Sequence, residues 1–199
     1  MAIQLQEFAQ QVLFGTTMEA KLSFPREAII DTKPGPAIRT PRTLARPPHL
    51  ALRVDGVRAK YPSEVKLVDE RERGRLLHFF ANHELLATEL MALVLLKFPD
   101  APASFRRGVL ETLKEEQIHT QLYMHRMQQC GVDFGELPVS DYFWKSVSSM
   151  EDPLDYVTRL SLTFEQANLD YSREYAKIFA QVGDGATAHI LDKIYHDEI

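Results

Sequence analysis

The run "KEEQIH" at 114–119 sets Glu116 and His119 three residues apart, inside the strongly helical stretch "GVLETLKEEQIHTQLYMHRM". On a helix that spacing is one face. A carboxylate and an imidazole on a core-facing stripe are costly to bury unless a proton partner or a metal pairs with them. Three more glutamates repeat the pattern. Glu84 stands in the seven-residue series Leu77, Glu84, Met91, Phe98. Glu165 lies at helical spacing with Leu162 and Leu169, and Glu198 follows Leu191, Ile194 and Tyr195 on one face. Hard oxygen donors with one imidazole are the ligand set that iron or manganese takes.

The elements that must position these residues are four long helices. The first is predicted over roughly 69–98 and ends at "FPDAP"; the second runs over 101–130, with Asp100 as its N-cap and Gly131 as its stop. A short helix near Tyr142–Ser149, capped by Ser140, occupies the connection. Asp152-Pro153 then opens the third helix, which runs to "VGDG" at 182–185, where the fourth begins. Two tight turns and one longer crossover specify an all-α, ferritin-like antiparallel four-helix bundle over 69–199. Ahead of it, residues 1–68 form a different region. Leu5, Phe8, Val12 and Leu13 give residues 1–14 an amphipathic helix, and most of the eleven prolines then fall between 25 and 62. Proline density opposes helix, yet Ile29, Ile30, Leu44, Leu50, Leu52 and Val54 are too apolar for a solvated tail. We expect an ordered Pro-rich N-terminal arm packed on the bundle.

Register tests whether the glutamates converge. Glu84 and Glu116 each lie sixteen residues from Asp100, about 24 Å along an α-helix. Glu165 and Glu198 stand nearly symmetrically about 182–183. Equal distance from an antiparallel turn is equal height in the bundle. Glu89 fails this test and points about 140° away from Glu84. Four carboxylates at one level of a core repel one another unless cations join them. A pair of divalent metals, with His119 alongside, satisfies the set. In carboxylate-bridged di-iron and di-manganese bundles two helices give a lone Glu and two give Glu-x-x-His. Here Glu84 and Glu165 are the lone ligands, Glu116 and His119 the pair. Glu198 opens a second pair whose histidine would fall beyond Ile199, so we expect the sequence to be cut within its fourth helix. The residues preceding the ligands have roles too. Asp197 is placed to accept from the free ring nitrogen of His119, and Glu115 would serve the second histidine.

Other residues read more plainly. Tyr123 and Tyr195 are packing aromatics near the site; His78 and His125 are surface or outer-layer residues, His83 is exposed by default, and "RERGR" at 71–75 is a solvated helix start. Cys130, the single cysteine, excludes an intrachain disulfide and fits a reducing cytoplasm. Net charge of −5 argues against a nucleic-acid partner. The apolar run at Leu85–Leu96, interrupted by Glu89, is too short to span a bilayer. No phosphate loop, Ser/His/Asp set or Cys-x-x-Cys pattern is present.

With these residues assembled, the chain resembles a bacterial ferritin-like family, domain of unknown function 455. The stretches "GRLLHFFANHELLATELMALVLLKFPDAP", "LKEEQIHTQLYMHRMQQCGVDFGELP" and "ILDKIYHDEI" carry the likeness, and "LARPPHL" in the arm is similar too. The resemblance implies a ferritin-like bundle with a dinuclear metal site and no settled reaction. It carries Glu84, Glu116, His119, Glu165 and Glu198 over as ligands. The expected function is a di-iron oxidoreductase, two iron ions with manganese as the alternative, acting on an unidentified small molecule with an unidentified electron donor. A ferroxidase or metal-handling protein, and a metal-free helical scaffold, are the competing readings. A cytoplasmic location, no membrane and a homodimer complete the expectations.

Overall fold

The computed structural model of the chain describes residues 2–52, 60, 62–160 and 166–198. Glu165, Val54 and Ile199 lie outside the described residues. Among the described residues the regular structure is helical apart from one short pairing, in which β1 (Ile3–Gln4) runs parallel to β2 (Ile29–Ile30). Near the N-terminus stand α1 (Leu5–Phe14) and α2 (Met18–Leu22). Leu5, Phe8, Val12 and Leu13 are buried on one side of α1.

Two long helices form the central hairpin, α3 (Glu70–Lys97) and α4 (Ala103–Gln129). Asp69 caps α3 by accepting from the backbone N–H of Arg71 and Glu72. By length and composition α3 could cross a membrane, but 83% of its apolar window is buried inside the protein. Its apolarity is the demand of a core helix that is covered on most sides. At the turn the expected cap is corrected. Pro102, not Asp100, holds the N-cap position of α4, without a side-chain bond. The turn is closed by a guanidinium instead: Arg106 Nη1 donates to the carbonyls of Leu95 (2.7 Å) and Phe98 (3.0 Å). The opposite end of α4 stops at Gly131, as read. Its φ of +71° lets Val132 N–H reach back to the Met127 carbonyl at 3.1 Å.

The second half departs further from expectation. α5 (Tyr142–Val147) has Asp141 at its N-cap, while Ser140 Oγ accepts from the Tyr142 N–H one position away. Asp152 and Pro153 do open a helix, with Asp152 accepting from Asp155 N–H, but α6 (Pro153–Tyr156) is a single turn. Widened, π-type turns follow at 157–160. The next described helix is α7 (Gln166–Gln181), so the expected third helix changes from α to π winding after its first turn, and residues 161–165 lie outside the described residues. α7 packs against α8 (Gly185–Asp197), and α8 also touches α4.

The start of α8 is fixed by a buried charge. Asp184 caps it, accepting from Thr187 N–H at 3.0 Å and from the Thr187 hydroxyl at 2.8 Å. Arg126 of α4 donates to Asp184 at 2.9 Å, and Arg73 of α3 lies 3.1 Å away. The "RERGR" stretch is therefore not simply solvated, because Arg73 binds α8 to the hairpin. Burial pushes the Asp184 carboxyl up, but the bonds from Thr187 and Arg126 outweigh it and hold the group below its ordinary value. From this anchor, α3 and α8 rise in the same direction toward Glu84 and Glu198.

The arm is held by a second buried charge. Leu44 and Leu50 are buried and Leu52 packs partly buried against the core. Glu89, at 0% exposure, lies 2.8 Å from Lys21 Nζ and takes a two-pronged contact from Arg46. Arg46 also donates to Asn82 Oδ1 at 2.9 Å. Lys21 Nζ reaches the Val12 carbonyl at 3.0 Å, so α1, α2, the arm and α3 meet at one carboxylate. Nearby, Gly135 (φ +96°) sits so close to His49 that a Cβ would lie 2.8 Å from its backbone oxygen. Only glycine fits where arm and loop cross.

Glu89→Ala strands two buried cations, and should lower unfolding free energy by about 3–5 kcal/mol in denaturant titrations. Near-wild-type stability would remove this carboxylate from the arm's anchorage. His78, expected near the surface, is instead buried, and its Nε2 accepts from Gly135 N–H at 2.9 Å. Burial pushes its pKa down to about 4, partly opposed by Glu136. The folded state therefore keeps His78 neutral where the unfolded chain takes a proton. Its contribution is full above the unfolded value near 6.5 and is lost as pH falls toward 4. A His78→Gln variant should show a flatter stability profile between those limits, by roughly 3 kcal/mol. An unchanged slope would count against the assignment.

Candidate metal centre

The apolar core falls into two clusters with a polar layer between them. One gathers α1, α5, Leu86–Leu96 of α3, and Val109 and Leu113 of α4. The other gathers Leu76–Leu85 of α3 with Tyr123, Met127, Phe179, Leu191 and Ile194. At the junction, Glu84, Glu116, His119 and Glu198 each bring one donor atom, all within 4.8 Å of one another. Glu84, Glu116 and His119 are at most 3% exposed, and the Glu198 side chain is 7% exposed. Three helices deliver them, because Glu84 and Glu116 lie at one height on the hairpin and Glu198 directly follows α8. Of the residues predicted as ligands, these four come together; Glu165 lies outside the described residues.

His119 decides what the cluster can do. Its Nε2 lies 3.1 Å from Asp197 Oδ2. Partial burial raises the Asp197 carboxyl, but hydrogen bonds with Lys193 and His119 more than offset it and hold the group below its usual range. An ionised carboxylate only accepts, so Nε2 carries the hydrogen and donates. That leaves Nδ1 with its lone pair, buried and without a hydrogen-bond partner among the described residues. It faces Glu116 Oε2 at 3.7 Å and Glu198 Oε1 at 3.6 Å, both beyond hydrogen-bond reach. A bare nitrogen and two carboxylate oxygens converging across such gaps form a cation cradle. Ordinary ligand bonds of about 2.0–2.2 Å put two donors on one ion roughly this far apart.

Tyr123 reports the same field. Burial pushes its hydroxyl well above the ordinary value, and the negative charges of Glu84, Glu198 and Glu116 push it further. Glu115 is exposed and takes no part in the cluster. Tyr195 lies at the side of α8, its ring edge-on to His196 and facing the Arg173 guanidinium at 5.1 Å. Cys130 is buried and its thiol pKa is raised first by that burial, as suits a packing residue.

Sequence reasoning missed Asp184 with its two arginines, and the Lys21–Arg46–Glu89 cluster. A lysine buried in α2 and an arginine beside Pro47-Pro48 were the available signals.

In chelator-treated protein, nitrogen-15 NMR should show His119 as the Nε2-protonated tautomer. Asp197→Ala should erase that preference; an Nδ1-protonated ring in the parent protein would overturn the orientation argued here.

No curated protein and no solved structure matches the chain. Residues 7–199 do match one family model, described as "Protein of unknown function (DUF455)", and the chain belongs to that family.

Proposed function

We propose that the chain is a ferritin-like dinuclear metal protein, a di-iron oxidoreductase built on an antiparallel four-helix bundle. Glu84, Glu116, His119, Glu165 and Glu198 would hold two iron ions, with manganese as the alternative. The observation that carries this reading is the buried, unpartnered Nδ1 of His119 aimed between the carboxylates of Glu116 and Glu198. Carboxylate-rich donor sets suit hard, oxidisable metals and stabilise their higher oxidation states. When bound, such ions supply electron transfer to dioxygen or peroxide.

The chain's own residues have definite tasks around that chemistry. Asp197 fixes the imidazole tautomer and, by accepting its N–H, makes Nδ1 a stronger donor. Tyr123 stays a neutral phenol beside the carboxylates. Phe80 lies one helical turn before Glu84, and its half-buried ring packs 5.5 Å from both Tyr123 and Tyr175, an aromatic cluster beside the carboxylates. Asp184 sets the height of α8, and so brings Glu198 level with Glu84.

Metal handling without an organic substrate is the second reading, and one observation favours it. A cavity of about 430 Å³ is lined by Phe79, Asn82 and His83 of α3, but not by Glu84.

Metal analysis of protein produced with iron supplied should find two ions per chain. Glu116→Gln and His119→Ala should abolish binding, and Asp197→Ala should weaken it about 10-fold or more. Protein that takes up no metal would leave only the helical scaffold. Oxygen uptake by the ferrous protein that needs no added organic compound would select the metal-handling reading.

A further inference from the structure

The cavity beside α3 has a chemistry of its own. Arg75, His78, Phe79, Asn82, His83 and Leu86 form one strip of α3, and the loop 137–143 covers it. On the helix this strip centres roughly 170° around from Glu84, on the flank away from the metal-ligand cluster. Its volume, about 430 Å³, is that of a small-molecule site. The walls are mostly apolar or aromatic, and His83 lies stacked on Phe143, ring centroids 4.5 Å apart and planes 3° from parallel.

Among the described residues the charged groups are of one sign. In a chain of net charge −5, Lys60 and Arg75 line the cavity and no described carboxylate does. Arg75 Nη1 is engaged by Glu72 at 2.8 Å, but its Nε is buried without a hydrogen-bond partner among the described residues. A buried guanidinium N–H without an acceptor is an unmet demand. His78 and Asn82 are already satisfied, by Gly135 N–H and by Arg46 with the Ser140 carbonyl. Those bonds hold the walls in place and leave Arg75, whose Nε is buried, as the best-positioned group with binding capacity, with Lys60 the second cation of the lining.

We propose that this cavity binds a small, planar, apolar monocarboxylate, its carboxylate on Arg75 and its ring system against Phe79 and the His83–Phe143 stack. Arg75 and His83 are eight residues apart, about 12 Å along the helix. Part of that length is covered by the arginine side chain, so a two-ring aromatic acid spans the rest. Asn82 connects this wall to Arg46, and through it to Glu89, so a bound acid would brace the loop 137–143 against the arm. The proposal does not depend on the metal reading.

Calorimetric titration with 2-naphthoate tests it, on both metal-loaded and chelator-treated protein, with 2-naphthalenemethanol as the uncharged control. Saturable binding at one site per chain is expected, with the same affinity in both preparations. Arg75→Gln should weaken it about 10-fold or more, and the alcohol should bind weaker than naphthoate by a similar factor. Leu86→Trp, which fills the cavity, should abolish binding while thermal unfolding stays cooperative. Failure of naphthoate to bind, or unchanged affinity in Arg75→Gln, overturns the proposal. Equal binding of the alcohol would reject the carboxylate's role. Binding that disappears with chelation would place the carboxylate on the metals instead, and also overturns it.

Discussion

A carboxylate sealed from water has to meet positive charge or take up a proton, and α3 carries that constraint twice. Glu84 and Glu89 are five residues apart, both buried, and face different sides of one helix. The chain answers Glu89 from its own sequence, with Lys21 and Arg46 carried in by α2 and the arm. Much of the architecture ahead of residue 70 can be understood as delivery of those two cations. Glu84 faces Glu116 and Glu198 instead, and the imidazole that joins them presents a lone pair rather than a proton. One helix thus separates a charge neutralised internally from a group suited to an ion from outside.

The same logic governs the ends of the helices. Asp184 gathers Arg73, Arg126 and Thr187, which ties the α7–α8 pair to the α3–α4 hairpin at one level. Breaking a buried pair costs far more than its formation contributes, so such a junction acts by excluding other registers. Register is what the cluster needs, since a slip of one residue would rotate Glu198 by about 100°.

What was legible in the sequence follows from periodicity. The spacing of Glu84 and Glu116 from their shared turn placed them at one height because helix rise is constant, whatever the loop does, and the apolar stripe of α8 put Glu198 on the face that meets them. The 100° step between neighbours likewise put Asp197 beside His119. Contacts made by irregular chain could not be read that way. Nothing periodic connects Lys21 or Arg46 to Glu89, since the path of a Pro-rich arm is set by where it finds partners. The change from α to π winding after Tyr156 was hidden for a related reason, as "YVTRL" holds neither glycine nor proline to mark it. Arg106, which replaces a side-chain cap at the α3–α4 turn, reads in the sequence as one more helical arginine.

The polar layer between the two apolar clusters also bears on how the protein comes apart. Apolar packing is what normally transmits cooperativity through a small domain, and here it is interrupted at the level of Glu84 and Glu116. The backbones of α3 and α4 run through the layer, and Leu52 of the arm packs against both clusters. Like charges crowded in that layer weaken the seam relative to apolar packing. A cation bridging the layer converts the seam into a cross-link between three helices, so that the halves unfold as one unit.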